Sequence, residues 1–187
     1  MPNLNHILAL TTQNWPVWLL SAVLIVAATI DGWKLKVPNW ITVPLIVGGW
    51  VYGAYFGWEG FGWSLLGTVV GLGLLLPAYA IGGMGAGDVK LLAGVGAWVG
   101  ATDTLYAFCV SAVIGGAIAV AMVLWRRDWH HHWFQFWSIT GEILEVRDPE
   151  ALAATAAQRK SSMLLLPYGI PIAIGSIAYF IWAGMLI

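Results

Sequence analysis

Six apolar stretches, separated by polar segments, constrain this chain more than any other feature of its sequence. They lie at residues 15–30, 40–56, 61–81, 89–99, 105–125 and 164–187. A helix that spans a membrane needs about 20 apolar residues. The third, fifth and sixth stretches reach that length, and the first and fourth fall short unless their helices extend through 31–34 and begin at Asp88. The pattern predicts an all-α polytopic membrane protein with six transmembrane helices.

The composition agrees with a protein that is embedded in lipid. Of the 187 residues, 60% are hydrophobic and 9% are charged, whereas a soluble domain carries about 25% charged residues. The length fits one membrane-embedded domain over residues 1–187, in which the loop at about 126–163 is the only extended polar segment. The net charge of −1 gives no sign of a nucleic-acid partner.

The positive charges predict how the helices are oriented. All eight lysine and arginine residues lie in three segments, 31–39, 82–90 and 126–163. The segments on the other side hold acidic residues and no basic ones. Because cytoplasmic loops carry the excess of lysine and arginine, we expect the N-terminus to lie outside and both Asp31 and Asp88 to lie at the cytoplasmic face.

Asp31 and Asp88 are the polar residues that most need an explanation. A carboxylate close to the bilayer is costly, so it normally faces a polar cavity or a partner and indicates a functional site. The glycine-rich segment "GGMGAGD", residues 82–88, precedes the second aspartate. Glycines allow another backbone to approach closely, and we expect a substrate peptide to do so here. The alternative is that both aspartates are headgroup-level loop residues, helped by Lys34 and Lys90.

Two carboxylates that converge on one peptide bond can hydrolyse it. The ionised carboxylate takes a proton from water, and the protonated one donates a hydrogen bond to the scissile carbonyl and later protonates the leaving amine. This chemistry needs no metal, cofactor or covalent nucleophile. Asp88 begins a helix, whose dipole favours a negative charge, whereas Asp31 lies near the end of one. We therefore expect Asp88 to be the general base and Asp31 its protonated partner.

Three segments carry a family resemblance. "GAGDVKLLAG", residues 85–94, resembles the GxGD motif of the type IV prepilin peptidases, which are intramembrane aspartyl proteases. "DGWKLKVPNW", residues 31–40, resembles the other aspartate signature of that family, and "LPYGIPIAIG", residues 166–175, is similar to its Pro-Tyr-Gly segment. The three segments occur in the order of the family and cover the chain nearly end to end.

The resemblance implies a prepilin leader peptidase in the cytoplasmic (inner) membrane of a prokaryote. Its partners would be pilin-like precursors, each with a leader peptide and a hydrophobic helix, together with membrane lipid. The implied catalytic pair is Asp31 and Asp88. The implied motif and substrate-cleft residues are Gly85, Gly87, Lys90, Pro38, Asn39, Pro167, Tyr168 and Gly169.

The chain departs from larger prepilin peptidases, which carry a Cys-x-x-Cys insert and also N-methylate the mature pilin. Such a zinc-held insert needs about four ligands at short spacings, yet the loop "DGWKLKVPN" is short and Cys109 is the single cysteine. We predict a minimal enzyme that cleaves without methylating and binds no metal. The run His130–His132 is interpreted as an interfacial polar tract, since three adjacent histidines cannot all bind one ion.

Two other functions compete with the peptidase. A small proton-coupled transporter would use the same two aspartates as a proton relay, but it predicts polar residues in the middle of the spans. A non-enzymatic subunit of a pilus or secretion machine would leave the glycine–aspartate motif unexplained.

Overall fold

The computed structural model describes residues 14–80, 83–126 and 167–186, which form helices and turns and no strand. The five helices are α1 (Trp15–Lys34), α2 (Asn39–Tyr55), α3 (Gly57–Ala80), α4 (Ala86–Arg126) and α5 (Gly169–Trp182). Three segments, Trp15–Lys34, Gly57–Ala80 and Ala86–Met122, are long and apolar enough to cross a membrane, and α5 is a shorter apolar helix. The predicted all-helical class is confirmed, whereas the six spans and their orientation stay predictions.

Both helices that were expected to run into an aspartate do so. Helix α1 continues past residue 30 to Lys34 and contains Asp31 in its last turn. Helix α4 begins at Ala86, so Asp88 is its third residue. Leu35 ends α1 in the left-handed conformation, with φ 51°, and its N–H donates to the carbonyl of Asp31 at 2.8 Å. The chain then turns through Pro38 into α2.

The predicted fourth and fifth stretches both lie on α4, and this helix is interrupted at Gly100. This glycine has φ 79° and ψ 179°, a backbone conformation that breaks the helix. Residues other than glycine rarely adopt it. The Trp63 side chain of α3 packs directly on Gly100 and leaves no space for a Cβ atom. The two halves of α4 therefore correspond to the two predicted stretches.

Helix α5 is shorter than the predicted stretch 164–187. It begins at Gly169 and ends at Trp182, and residues 164–166 lie outside the described part. At its end Gly184 has φ 71°, and the N–H of Met185 donates to the carbonyl of Phe180 at 2.9 Å. Such a glycine-centred turn is a common helix terminator, so the apolar composition of 183–186 does not extend the helix.

The first half of α4 forms the centre of the bundle. Leu91, Leu92 and Val95 have no exposed surface. Helix α3 approaches this half closely because Gly67 faces the backbone of Gly96 with no room for a Cβ on either residue. Small residues allow this kind of close helix packing in membrane proteins.

Polar side chains add hydrogen bonds between the packed helices. Ser64 of α3 donates to the carbonyl of Ala97 at 2.6 Å, and Trp98 donates from Nε1 to the carbonyl of Leu45 at 2.8 Å. On the second half of α4, Asp103 accepts a 2.6 Å hydrogen bond from the Tyr179 hydroxyl of α5. These bonds hold the middle of α4, on both sides of Gly100, against α2, α3 and α5.

Candidate active site

The two aspartates singled out in the sequence are buried. Asp31 is 2% exposed at the end of α1, and Asp88 is 6% exposed at the start of α4. Within the described residues they are the only acidic side chains classed as buried. Since a buried carboxylate needs hydrogen-bond donors, the groups around each one define the site.

Asp31 is held by the N-terminus of α5. The N–H of Gly169, the first residue of that helix, donates to Oδ2 of Asp31 at 2.8 Å. A Cβ atom on Gly169 would lie 2.9 Å from Oδ2 and 3.0 Å from the Cβ of Asp31. The contact joins the aspartate of the first motif to the Pro-Tyr-Gly segment at the far end of the sequence.

Asp88 folds back onto its own motif. The N–H of Gly85 donates to Oδ2 of Asp88 at 3.2 Å, and the N–H of Asp88 donates to the carbonyl of Gly85 at 3.2 Å. This reciprocal pairing of the residue before a helix with the third helical residue is a capping arrangement. It satisfies backbone donors at the start of α4 and places the carboxylate there.

Gly87, which lies between Gly85 and Asp88, is in close contact with the turn that follows α1. A Cβ atom on Gly87 would lie 2.5 Å from the carbonyl oxygen of Val37 and 3.0 Å from its Cβ. Val37 is 2% exposed and belongs to the turn that follows Asp31. The sequence suggested that a substrate backbone approaches the motif glycines, but the backbone that approaches Gly87 is that of Val37 in the same chain.

Tyr168 interacts electrostatically with Asp88. It directly precedes Gly169, and burial raises the pKa of its phenol, with the negative charge of Asp88 raising that pKa further. The dipeptide Tyr168–Gly169 therefore lies close to both aspartates, since its glycine binds Asp31 and its tyrosine interacts with Asp88. Together with the Val37–Gly87 contact, this places both motifs at the same end of the bundle.

The remaining motif residues border the site. Lys90 donates from Nζ to Oδ1 of Asn39 at 3.1 Å, near the surface, so this contact joins the two aspartate motifs. Pro38 immediately precedes α2. The carbonyl of Pro167 accepts the N–H of Ile170 at 3.1 Å, which places this proline directly before the first turn of α5.

The surroundings of Asp31 alter the argument from helix dipoles. Within their own helices, Asp31 lies at the unfavourable C-terminal end of α1 and Asp88 at the favourable N-terminal end of α4. In the structure Asp31 also accepts an N–H from the N-terminus of α5, where the dipole favours a negative charge. Helix dipoles consequently do not distinguish the two carboxylates. The sequence could not reveal this, because 138 residues separate the two bonded groups.

An apolar groove of about 310 Å³ opens beside the site. It is bounded by α3, the second half of α4 and the start of α5, and its lining includes Leu74, Ala78, Met84, Phe108, Ala112, Gly116, Tyr168 and Ile172. Tyr168 belongs to both the groove and the surroundings of Asp88. No sequence signal indicated this groove, since its lining comes from four separate segments.

Other predicted features lie outside the described residues. The tract His130–His132 and almost all of the loop at about 126–163 belong to this part of the chain. Among the residues that the structure describes, no group of three or more histidine, cysteine or acidic side chains could hold a metal ion. The expectation that the protein uses no metal stays a prediction.

Comparison with known proteins agrees with the motifs. Prepilin leader peptidase/N-methyltransferase of Aeromonas salmonicida (strain A449) is 31% identical over 140 residues, which cover 69% of this chain and 47% of that protein. The protein of the same name from Neisseria gonorrhoeae is 35% identical over 111 residues, covering 56% of this chain and 39% of the relative.

The chain thus spans about half the length of the first relatives, or less, in these alignments. No solved structure matches it. A model of the type IV leader peptidase family matches residues 18–120, a range that contains both aspartates and all the motif residues up to Lys90. The chain belongs to the type IV leader peptidase family.

Proposed function

We propose that this protein is an aspartic endopeptidase that cleaves the leader peptide from type IV pilin-like precursors. The observation that carries the proposal is a pair of buried aspartates on helix ends, each of which accepts a hydrogen bond from a glycine N–H. The contact of Val37 with Gly87 and the interactions of Gly169 with Asp31 and of Tyr168 with Asp88 bring these helix ends together. The substrate class comes from the relatives, which are named prepilin leader peptidases.

In this mechanism Asp31 and Asp88 act as one unit that shares a proton. Two carboxylates that converge on one peptide bond do not both ionise easily, so in the proposed mechanism one is ionised and activates water while the other donates to the scissile carbonyl. The tetrahedral intermediate then collapses, and a proton passes to the leaving amine. Because the protons belong to the pair, both carboxylates are needed.

We further propose six membrane-spanning segments, with the N-terminus outside and the site at the cytoplasmic face of the inner membrane. Lys34, at the end of α1, and Lys90, in the first turns of α4, support this orientation, because they lie at the same end of the bundle as the aspartates. Positive charges mark the cytoplasmic side. Location of both carboxylates at one end disfavours the transporter alternative, which needs a relay across the membrane.

The apolar groove suggests where the hydrophobic helix of a precursor lies. Its lining is almost entirely apolar, and Tyr168 borders both the groove and the aspartate pair. A precursor helix packed there, within the lipid, would bring the polypeptide that precedes it to Asp31 and Asp88. The small residues Ala112 and Gly116 would permit a close approach of that helix.

Cleavage without N-methylation is also part of the proposal. Between the end of α1 at Lys34 and the start of α2 at Asn39 only a short turn exists, and the sequence contains one cysteine. The turn is too short to contain a zinc-held insert, and a single cysteine cannot supply the paired thiolates that such an insert needs.

The test is cleavage of a type IV prepilin by the purified full chain in proteoliposomes, followed as leader removal on a gel. Asp31→Asn and Asp88→Asn are each expected to abolish cleavage, and the double variant to be no worse than either. Asp103→Asn is the matched control, since Asp103 pairs with Tyr179 away from the site and its loss is expected to leave cleavage intact. Normal turnover by either single variant at the pair would refute the mechanism.

A further inference from the structure

The hydrogen bond from Gly169 to Asp31 joins two elements that meet only in the folded protein. Asp31 lies at the end of α1 and Gly169 at the start of α5, and the N–H to Oδ2 distance of 2.8 Å is short for a backbone donor. Neighbouring residues reinforce the contact, because a Cβ on Gly32 would lie 3.5 Å from the side chain of Ile170. The start of α5 therefore packs directly against the turn of α1 that carries the carboxylate.

Gly169 leaves no space for a larger residue. A Cβ atom there would meet three consecutive atoms of the Asp31 side chain, Cβ, Cγ and Oδ2, at 3.0, 3.1 and 2.9 Å. All three distances are shorter than ordinary van der Waals contacts, which begin at 3.4 Å. Since Asp31 is 2% exposed, its carboxyl group cannot swing into solvent to relieve the clash. It would have to leave the position in which the Gly169 N–H holds it.

From this geometry we propose that Gly169 is a positioning residue, whose N–H fixes the orientation of the Asp31 carboxyl group and whose missing side chain makes that contact possible. The inference rests on the proposed function for its catalytic consequence. The contact itself does not depend on that function and can be measured separately.

Gly175 provides a matched comparison on the same helix. A Cβ atom on Gly175 would collide with the backbone and Oγ of Ser111 on α4, so alanine there also crowds a helix interface. Gly175 contacts neither aspartate in this way. The pair Gly169→Ala and Gly175→Ala therefore separates loss of Asp31 positioning from general damage to the packing of α5.

The contact can be observed directly by selective labelling of the full chain. The sequence contains only two Tyr-Gly pairs, Tyr52–Gly53 and Tyr168–Gly169. Tyrosine labelled with ¹³C at the carbonyl and glycine labelled with ¹⁵N thus give two amide signals in a carbonyl-filtered NMR spectrum. An amide that donates to a carboxylate moves downfield when the carboxylate ionises. We expect the Gly169 signal to follow a titration with pH that disappears in Asp31→Asn, and the Gly53 signal, from the opposite end of α2, to stay fixed.

The second readout is the pH–rate profile of prepilin cleavage, normalised to folded enzyme. Loss of an N–H donor to a carboxylate disfavours its charged form, so the Gly169→Ala profile is expected to move to higher pH with at least a tenfold lower kcat. The apparent pKa values of the Gly175→Ala profile should match those of the wild type, even if the crowding of Ser111, which lines the apolar groove, lowers the rate. A Gly169 signal that ignores both pH and Asp31→Asn, or an unaltered Gly169→Ala profile, would overturn the proposal. If the wild-type chain does not cleave, the proposed function fails, while the NMR titration still decides whether Gly169 positions Asp31.

Discussion

Gly87→Ala is the substitution whose effect follows most directly from the structure. The new Cβ would lie 2.5 Å from the carbonyl oxygen of Val37, whereas ordinary contacts begin at 3.4 Å. The atoms of Val37 that the new Cβ would meet are its backbone carbonyl and its own Cβ. Neither is the end of a flexible side chain that could move aside. The start of α4 must separate from the turn after α1 by about 1 Å, the difference between a contact and a clash. Asp88 is the next residue and would move with it.

The expected loss of catalytic rate is much larger than the expected loss of folding stability, so the two effects can be distinguished. A displacement of about 1 Å in a reacting group can cost roughly 10²-fold in rate. Overpacking costs about 1–3 kcal/mol of folding free energy, and replacing glycine by alanine within a helix restores up to about 1 kcal/mol. We therefore expect a large loss of kcat from a protein whose thermal stability is only modestly reduced.

The assay is the kcat of prepilin cleavage by purified enzyme, corrected for the folded fraction, beside the midpoint of thermal unfolding. Gly73→Ala is the control, because no atom lies within 4 Å of a Cβ at that exposed position of α3. It should match the wild type in kcat and unfold at a midpoint no lower than that of the wild type. A Gly87→Ala enzyme with the wild-type kcat would show that Asp88 is not placed by the Val37 contact.

Three further expectations concern packing and chemistry. Gly67→Ala should lower the free energy of unfolding by about 1–3 kcal/mol, because α3 and α4 meet at the Gly67–Gly96 backbone contact; an unfolding midpoint as high as that of Gly73→Ala would contradict this packing. Tyr179→Phe removes the 2.6 Å hydrogen bond to Asp103 and should cost about 1–3 kcal/mol without altering cleavage; a lower kcat per folded molecule would mean that this end of the bundle affects the site. Mass spectrometry of a pilin processed with S-adenosylmethionine present should show no added methyl group, and a methylated mature N-terminus would refute the minimal activity.

Hydropathy predicted much of the helical structure because membrane insertion imposes simple physical rules. Apolar stretches of sufficient length become helices, since backbone groups in lipid must be hydrogen-bonded within the segment. Polar exceptions such as Asp31 and Asp88 then stand out as costly. The structure confirms that the helices around both residues extend as expected, with α1 ending at Lys34 and α4 beginning at Ala86.

Tertiary contacts explain what the sequence could not predict. The hydrophobic composition of 164–187 does not predict that α5 begins at Gly169 or that the N–H of this residue binds Asp31. The neighbour of Gly87 could not be predicted for the same reason, since it is the backbone of Val37, which follows the left-handed turn at Leu35. Glycine signals close approach in a sequence, but it does not identify which group approaches.

A consistent principle underlies the two carboxylates. Each one accepts a glycine N–H at the start of a helix, Asp88 from Gly85 and Asp31 from Gly169. In a water-poor site such donors offset part of the cost of burying a charge, and an alanine at Gly169 would displace the carboxyl group that it binds. Because both residues receive this support, helix dipoles cannot decide which one keeps the proton. The asymmetry must come from groups that contact one aspartate more than the other, and Tyr168, whose phenol interacts with Asp88, is the described residue placed to provide it.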